Sequence, residues 1–78
     1  MRIAEVKPNS DCTLQIVSED GRVGIFDVTP YLGLEAFTDL KNKDAFAKVM
    51  NGGYFIEWDC GADLSADTIE AHLTENSE

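Results

Sequence analysis

The stretch Tyr54–Ile69, YFIEWDCGADLSADTI, constrains the fold of this chain more than any other part of it. Tyr54, Ile56 and Trp58 recur with the period of 2 that puts side chains on one face of a strand. Asp59-Cys60-Gly61 then supplies corner chemistry, because Asp can bond its own backbone and Gly tolerates positive φ. Ser65 is a good N-cap, its hydroxyl able to accept from an unpaired amide of the first helical turn. Leu64 and Ile69 flank it at the N′ and N4 positions of a hydrophobic staple. Asp67 puts a carboxylate in the first turn, where the helix dipole favours it. The stretch reads as a strand, a tight corner and the start of a helix, so it sets how a sheet meets a helix.

The rest of the chain reads as strands and short turns. Arg2–Lys7 is a first strand, with Ala4 and Val6 on one face, Ile3 on the other, and Pro8 at its end. Thr13–Glu19 is a second, with Leu14 and Ile16 pointing one way. Asp20-Gly21 fits a two-residue type I′ hairpin turn. That turn would set Ile16 opposite Ile25 and Gln15 opposite Phe26, but it would also set Leu14 opposite Asp27. The third strand must then carry a bulge near Phe26-Asp27 or be covered on both faces. Thr29-Pro30-Tyr31-Leu32 fits an N-cap with Pro at N1, ended by Gly33. Leu34, Phe37 and Leu40 recur at helical spacing over a short segment, expected to form irregular turns that plug the core edge.

Asn42–Phe46 is a single helical turn. Lys48–Met50 and Tyr54–Trp58 are a fourth and a fifth strand, joined by Asn51-Gly52-Gly53. The Ser65-capped helix runs to His72 or Leu73 with Ala66, Ile69 and Leu73 on one face. The expected architecture is α+β: an antiparallel sheet of about five strands, made of two hairpins plus an N-terminal strand, with short helical turns and a C-terminal helix. Trp58, Ile56, Ile16, Ile25, Phe26, Phe46, Leu64 and Ile69 are the expected core. Residues 1–78 make one domain, with 73–78 a frayed acidic tail.

Charge narrows the function classes. Six Lys and Arg stand against fifteen Asp and Glu, a formal net charge of −9. Phosphate contacts need clustered cations, so direct nucleic-acid binding is not expected. No apolar run approaches the ~20 residues that span a bilayer. Met1-Arg2-Ile3-Ala4-Glu5 lacks the apolar centre of a signal peptide, so a cytoplasmic location with reduced thiols is expected.

Candidate sites are few. Cys12, Cys60 and His72, with Asp59 or Asp63, could nominally complete a zinc set, but no C-x-x-C spacing pairs them. No metal is assigned, and the cysteines read as small buried or half-buried thiols. His72 reads as a solvated helix-end residue, where a cation is favoured. Asp27, between Phe26 and Val28, is the carboxylate expected to be buried and to bond backbone amides ahead of Pro30. No catalytic residue and no cofactor is assigned. From Glu57 to Glu78 there are seven acids and no Lys or Arg. Glu57, Asp59, Asp63, Asp67, Glu70 and Glu75 form the candidate interaction surface. The best placed are Glu70, Glu75 and the side of the last helix opposite Ala66, Ile69 and Leu73.

Several stretches carry a family resemblance: Glu19-Asp20-Gly21, Phe26-Asp27-Val28-Thr29-Pro30 with Tyr31-Leu32, Phe37-Thr38-Asp39-Leu40, Phe46 followed by Val49, Ile56-Glu57-Trp58, and Gly61-Ala62-Asp63-Leu64 with Asp67 three residues on. Together they cover Ile3–Ile69. The chain resembles the small bacterial family known as domain of unknown function 2442. It departs at Ala66, where members often have Pro, and Ala keeps a helix there. The resemblance implies a small antiparallel sheet with short helices and no established activity. It also implies longer relatives joined to a helix-turn-helix segment, and members encoded beside another small protein in the manner of toxin–antitoxin pairs. This chain carries no such segment within its 78 residues, so a DNA-binding role is not carried over.

The functional expectation is a non-catalytic protein-binding module, the antitoxin-like partner of a small basic protein. The alternatives are a small enzyme using the carboxylates near the Trp58–Asp67 corner, or a purely structural accessory domain. A weak homodimer through an exposed strand edge is a further expectation.

Overall fold

The computed structural model describes residues 1–75. Its first sheet is built from β1 (Ile3–Pro8), β2 (Thr13–Ser18) and β3 (Val23–Asp27), all antiparallel. After β3 come a 3-10 turn at Thr29–Tyr31, a longer 3-10 segment at Glu35–Lys41 and the one-turn helix α1 (Lys43–Phe46). A second sheet follows, made of β4 (Met50–Asn51), β5 (Phe55–Glu57) and β6 (Asp63–Ser65) in that order. Helix α2 (Ala66–His72) leads into β7 (Thr74–Glu75), which returns to pair with the free edge of β3. The fold is thus mixed α and β with antiparallel pairing and a C-terminal helix, as expected. The strands do not form one sheet of about five, however. They divide into two.

The sheets divide between β3 and β4, across the 3-10 segments and α1, and Asp59-Cys60-Gly61 turns one strand of the second sheet into another rather than a strand into a helix. The Trp58 N–H donates to the Ala62 carbonyl at 2.9 Å and the Gly61 N–H to the Trp58 carbonyl at 3.0 Å. Glu19-Asp20-Gly21 repeats the arrangement: Ser18 N–H to Arg22 O at 2.9 Å, Gly21 N–H to Ser18 O at 3.0 Å. Gly61 and Gly21 both have left-handed backbones, φ 95° and 93°. Both turns are therefore three-residue loops closed by a left-handed glycine, not two-residue type I′ turns.

The extra loop residue shifts the β2–β3 register by one. Leu14 opposes Phe26, Ile16 opposes Gly24, and Thr13 opposes Asp27. The clash of Leu14 with Asp27 disappears, and β3 needs no bulge. Leu14, Ile16 and Phe26 are all fully buried. Ile25 falls on the opposite face and is only half-buried, so it leaves the expected core. The remaining seven expected core residues are buried.

The bulge occurs in β1 instead. Ile3 pairs with Ser18 and Glu5 with Val17, which leaves Ala4 as the extra residue. Ile3 and Val6 therefore share the inner face, and Ala4 is exposed rather than facing the way Val6 does. Ile3 also joins the sheets. Its N–H donates to the Gly53 carbonyl at 2.7 Å, and its own carbonyl accepts from Asn51 Nδ2 at 2.9 Å. The same Asn51 side chain accepts from the Gly53 N–H at 2.8 Å. One asparagine thus shapes its own turn and ties it to β1.

Between the sheets runs a chain of rings: Phe26, Tyr31, Phe37, Trp58 and Phe46, with successive centroids 5.8, 5.7, 6.2 and 6.0 Å apart. Phe37 and Leu40 of the 3-10 segment plug the core edge, while Leu34 is 53% exposed. Tyr54 is exposed too, because β5 begins only at Phe55 and the alternation does not reach back to it. Asp27 is likewise exposed, although it does accept from the Thr29 N–H at 2.9 Å.

Helix α2 is built as its sequence indicates. The Ser65 hydroxyl accepts from the Thr68 N–H at 3.2 Å, and Leu64 and Ile69 are both buried. Such a cap contributes about 1 kcal/mol. Residues 73–75 are placed against the core and the first sheet. Leu73 packs on the core, and Thr74 and Glu75 pair with Ile25 and Gly24, so β3 keeps a partner on both sides. The last three positions of the expected tail, 76–78, lie outside the described residues.

Candidate interaction surface

In β5 and β6, Ile56 and Leu64 point inward and are buried. Alternation sends their neighbours outward, and Phe55, Glu57, Asp63 and Ser65 are exposed. The register places Glu57 directly opposite Asp63, Phe55 opposite Ser65, and Met50 of β4 on the other side of Glu57. Met50, Glu57 and Asp63 therefore form one row across the outer face of the second sheet. Met50 is 43% and Phe55 41% exposed, unusual for side chains of this size.

Like charges directly opposite on adjacent strands repel. Neither Glu57 nor Asp63 makes an ion pair among the described residues. The sheet thus carries an uncompensated carboxylate pair flanked by two exposed apolar side chains.

The other nominated acids are dispersed. Asp59 is exposed in the turn between β5 and β6 and lines an open depression of about 510 Å³ with Asp39, Asp44, Lys48 and Cys60. Asp67 is exposed in the first turn of α2. Glu70 is occupied within the fold. It accepts from the Met1 ammonium at 3.1 Å and from Arg22 Nη1 at 3.0 Å. Those two cations, the ammonium first, hold its carboxyl below the ordinary value of 4.5. Arg22 in turn binds Asp20 at 3.0 Å, so the β2–β3 turn, α2 and the start of the chain share one ion-pair network. Glu75 is placed only by its backbone, opposite Gly24, and its side chain lies outside the described residues.

The family described as Protein of unknown function (DUF2442) matches residues 3–75. The chain belongs to that family. No curated protein and no solved structure matches it.

In this DUF2442 chain the motif stretches are mostly structural. Glu19-Asp20-Gly21 and Asp59-Cys60-Gly61 are the twin hairpin turns, and Trp58 joins Phe37 to Phe46 in the ring chain. The outward row escapes a reading of the sequence because it depends on β6, a three-residue strand hidden between a turn and a helix cap. The likeness of D-C-G to E-D-G is the one signal in the sequence for that second hairpin. Cys12 is half-buried, while Cys60 is exposed, against the expectation of two sheltered thiols. No group of three or more His, Cys, Asp or Glu side chains among the described residues is arranged to hold a metal ion. His72 is exposed at the end of α2. No helix among the described residues is long and apolar enough to cross a membrane.

Proposed function

We propose that this chain is a non-catalytic protein-binding module, the antitoxin-like half of a pair, which receives a basic partner on the outer face of its second sheet. The observation that carries the reading is the Glu57–Asp63 opposition beside Met50 and Phe55. A Lys or Arg from a partner would relieve the repulsion, and apolar contacts would cover the two exposed side chains. The absence of any Lys or Arg from Glu57 onward leaves that face electrostatically open to a cationic protein. The enzyme alternative has less support, since Glu57, Asp59, Asp63 and Asp67 all stand in solvent and do not converge on one cleft.

The test uses two baits, the wild-type chain and a Glu57→Lys/Asp63→Lys variant, each exposed to extract of the native cells. A basic protein retained by the first and lost by the second is expected, with an association rate that falls as salt rises. Baits that retain the same proteins, or a partner indifferent to salt, would overturn the reading. A weak homodimer is the competing use of this sheet, because among the described residues no strand covers the outer edge of β6. Light scattering in physiological salt separates the two.

A further inference from the structure

A cleft of about 230 Å³ opens where the β1–β2 turn meets α1, away from the carboxylate row. Its lining includes the buried side chains of Leu40 and Phe46, with Pro8 and Cys12 from the facing turn. Lys41 and Lys43 supply the charged side chains of the lining, and no acidic residue contributes among the described residues. In a chain with fifteen acids and six bases that is a local reversal of charge.

The state of the cations sharpens the point. Arg2, Lys7 and Arg22 each hold a carboxylate of the chain. Lys41, Lys43 and Lys48 make no ion pair among the described residues. Two of these three stand at the cleft, and both are exposed. The facing wall is preset as well. Cys12 has φ 66°, a left-handed conformation that disfavours a side chain, and its carbonyl is held by the Val28 N–H at 3.0 Å. Such outliers persist where the surrounding structure enforces them. The volume falls below the ~300 Å³ at which drug-sized sites begin, so any occupant is small.

We propose that this cleft binds a small amphipathic carboxylate, its apolar body against Pro8 and Cys12 above a floor of Leu40 and Phe46 and its charged end at Lys41 and Lys43. This site is separate from the protein-binding face and stands or falls apart from it.

Cys12 makes the site measurable. In a Cys60→Ser variant it is the sole thiol, because the chain has two cysteines. The probe is octanoate, with octanol as its uncharged counterpart and iodoacetamide as the neutral alkylating reagent. Octanoate should slow alkylation of Cys12 saturably and shift the backbone amides of Leu40 and Phe46. Adding Lys41→Gln and Lys43→Gln should weaken the apparent affinity by about tenfold, the scale of a lost charge-assisted contact. Lys48→Gln, outside the cleft, should leave it unchanged, and octanol should protect far less. Three results would overturn the proposal: no saturable protection, equal protection by octanol, or amide shifts confined to other parts of the chain. Protection that survives the double lysine variant would overturn it as well.

Discussion

The indole N–H of Trp58 donates to the carbonyl oxygen of Phe46 at 2.9 Å, and the two rings stack with centroids 6.0 Å apart. Phe46 ends a helix of one turn, so its carbonyl is among those that no later amide of the helix can reach. Trp58 therefore caps α1 from the second sheet while filling the space between the sheets. Trp58→Phe should keep the ring and strand this buried acceptor. A loss of about 1–3 kcal/mol is expected in urea unfolding followed by circular dichroism, since the variant has no tryptophan to report. An unchanged midpoint would mean that water satisfies Phe46 in its place.

Gly24 should be intolerant of a side chain. A Cβ there would lie 2.7 Å from Leu73 and 2.8 Å from the Thr74 carbonyl, so β7 could not stay on β3. Gly24→Ala should destabilise by about 1–3 kcal/mol through overpacking. Hydrogen exchange should show the loss concentrated at Ile25 and the residues that follow α2. Full protection at Ile25 in the variant would contradict this.

Glu70 should make stability depend on acid. Its folded pKa is lowered by the Met1 ammonium and by Arg22, so its ion pairs add stability above its ordinary value of 4.5. That contribution is lost as pH falls through the lowered folded value. Glu70→Gln should therefore melt below the wild type at pH 7, and the gap should close as pH falls below 4.5. A gap constant from pH 7 to pH 2 would sink the linkage.

The Glu57–Asp63 pair predicts opposite effects on stability and on binding. Glu57→Lys turns a repulsive cross-strand pair into an attractive one and should raise stability by up to about 1 kcal/mol. The same change should reduce capture of a basic partner. A variant that loses both stability and partner would indicate that Glu57 supports the fold rather than the contact.

Much of the local chemistry is legible in the sequence. The Ser65 cap forms as expected and Leu64 and Ile69 on either side of it are both buried, because these preferences act within about one helical turn. Asn42, read as the first residue of a helical turn, instead caps α1 through bonds to the amides of Asp44 and Ala45. Of the candidate surface, only Glu57 and Asp63 come together, and nothing in the sequence marks Met50 and Phe55 as their apolar neighbours. The departures in strand pairing share one cause: each depends on how many residues a turn or strand sets aside. Asp20-Gly21 names a turn but not whether Glu19 belongs to it, and that one residue reverses which way Ile25 points.

By itself the sequence determined where the chain could turn, cap and bury, since glycines, caps and apolar periods act within a few residues. It also determined the family and the charge. The tertiary structure alone decided that there are two sheets, that Ala4 is looped out so Ile3 and Val6 share a face, that β7 covers the edge of β3, and that Glu70 is bound internally while Glu57 and Asp63 stand open to solvent. These outcomes rest on contacts between segments far apart in the chain, such as Ile3 with Gly53 and Gly24 with Glu75. Local preference is nearly neutral about such pairings, and packing of the shared core selects among them.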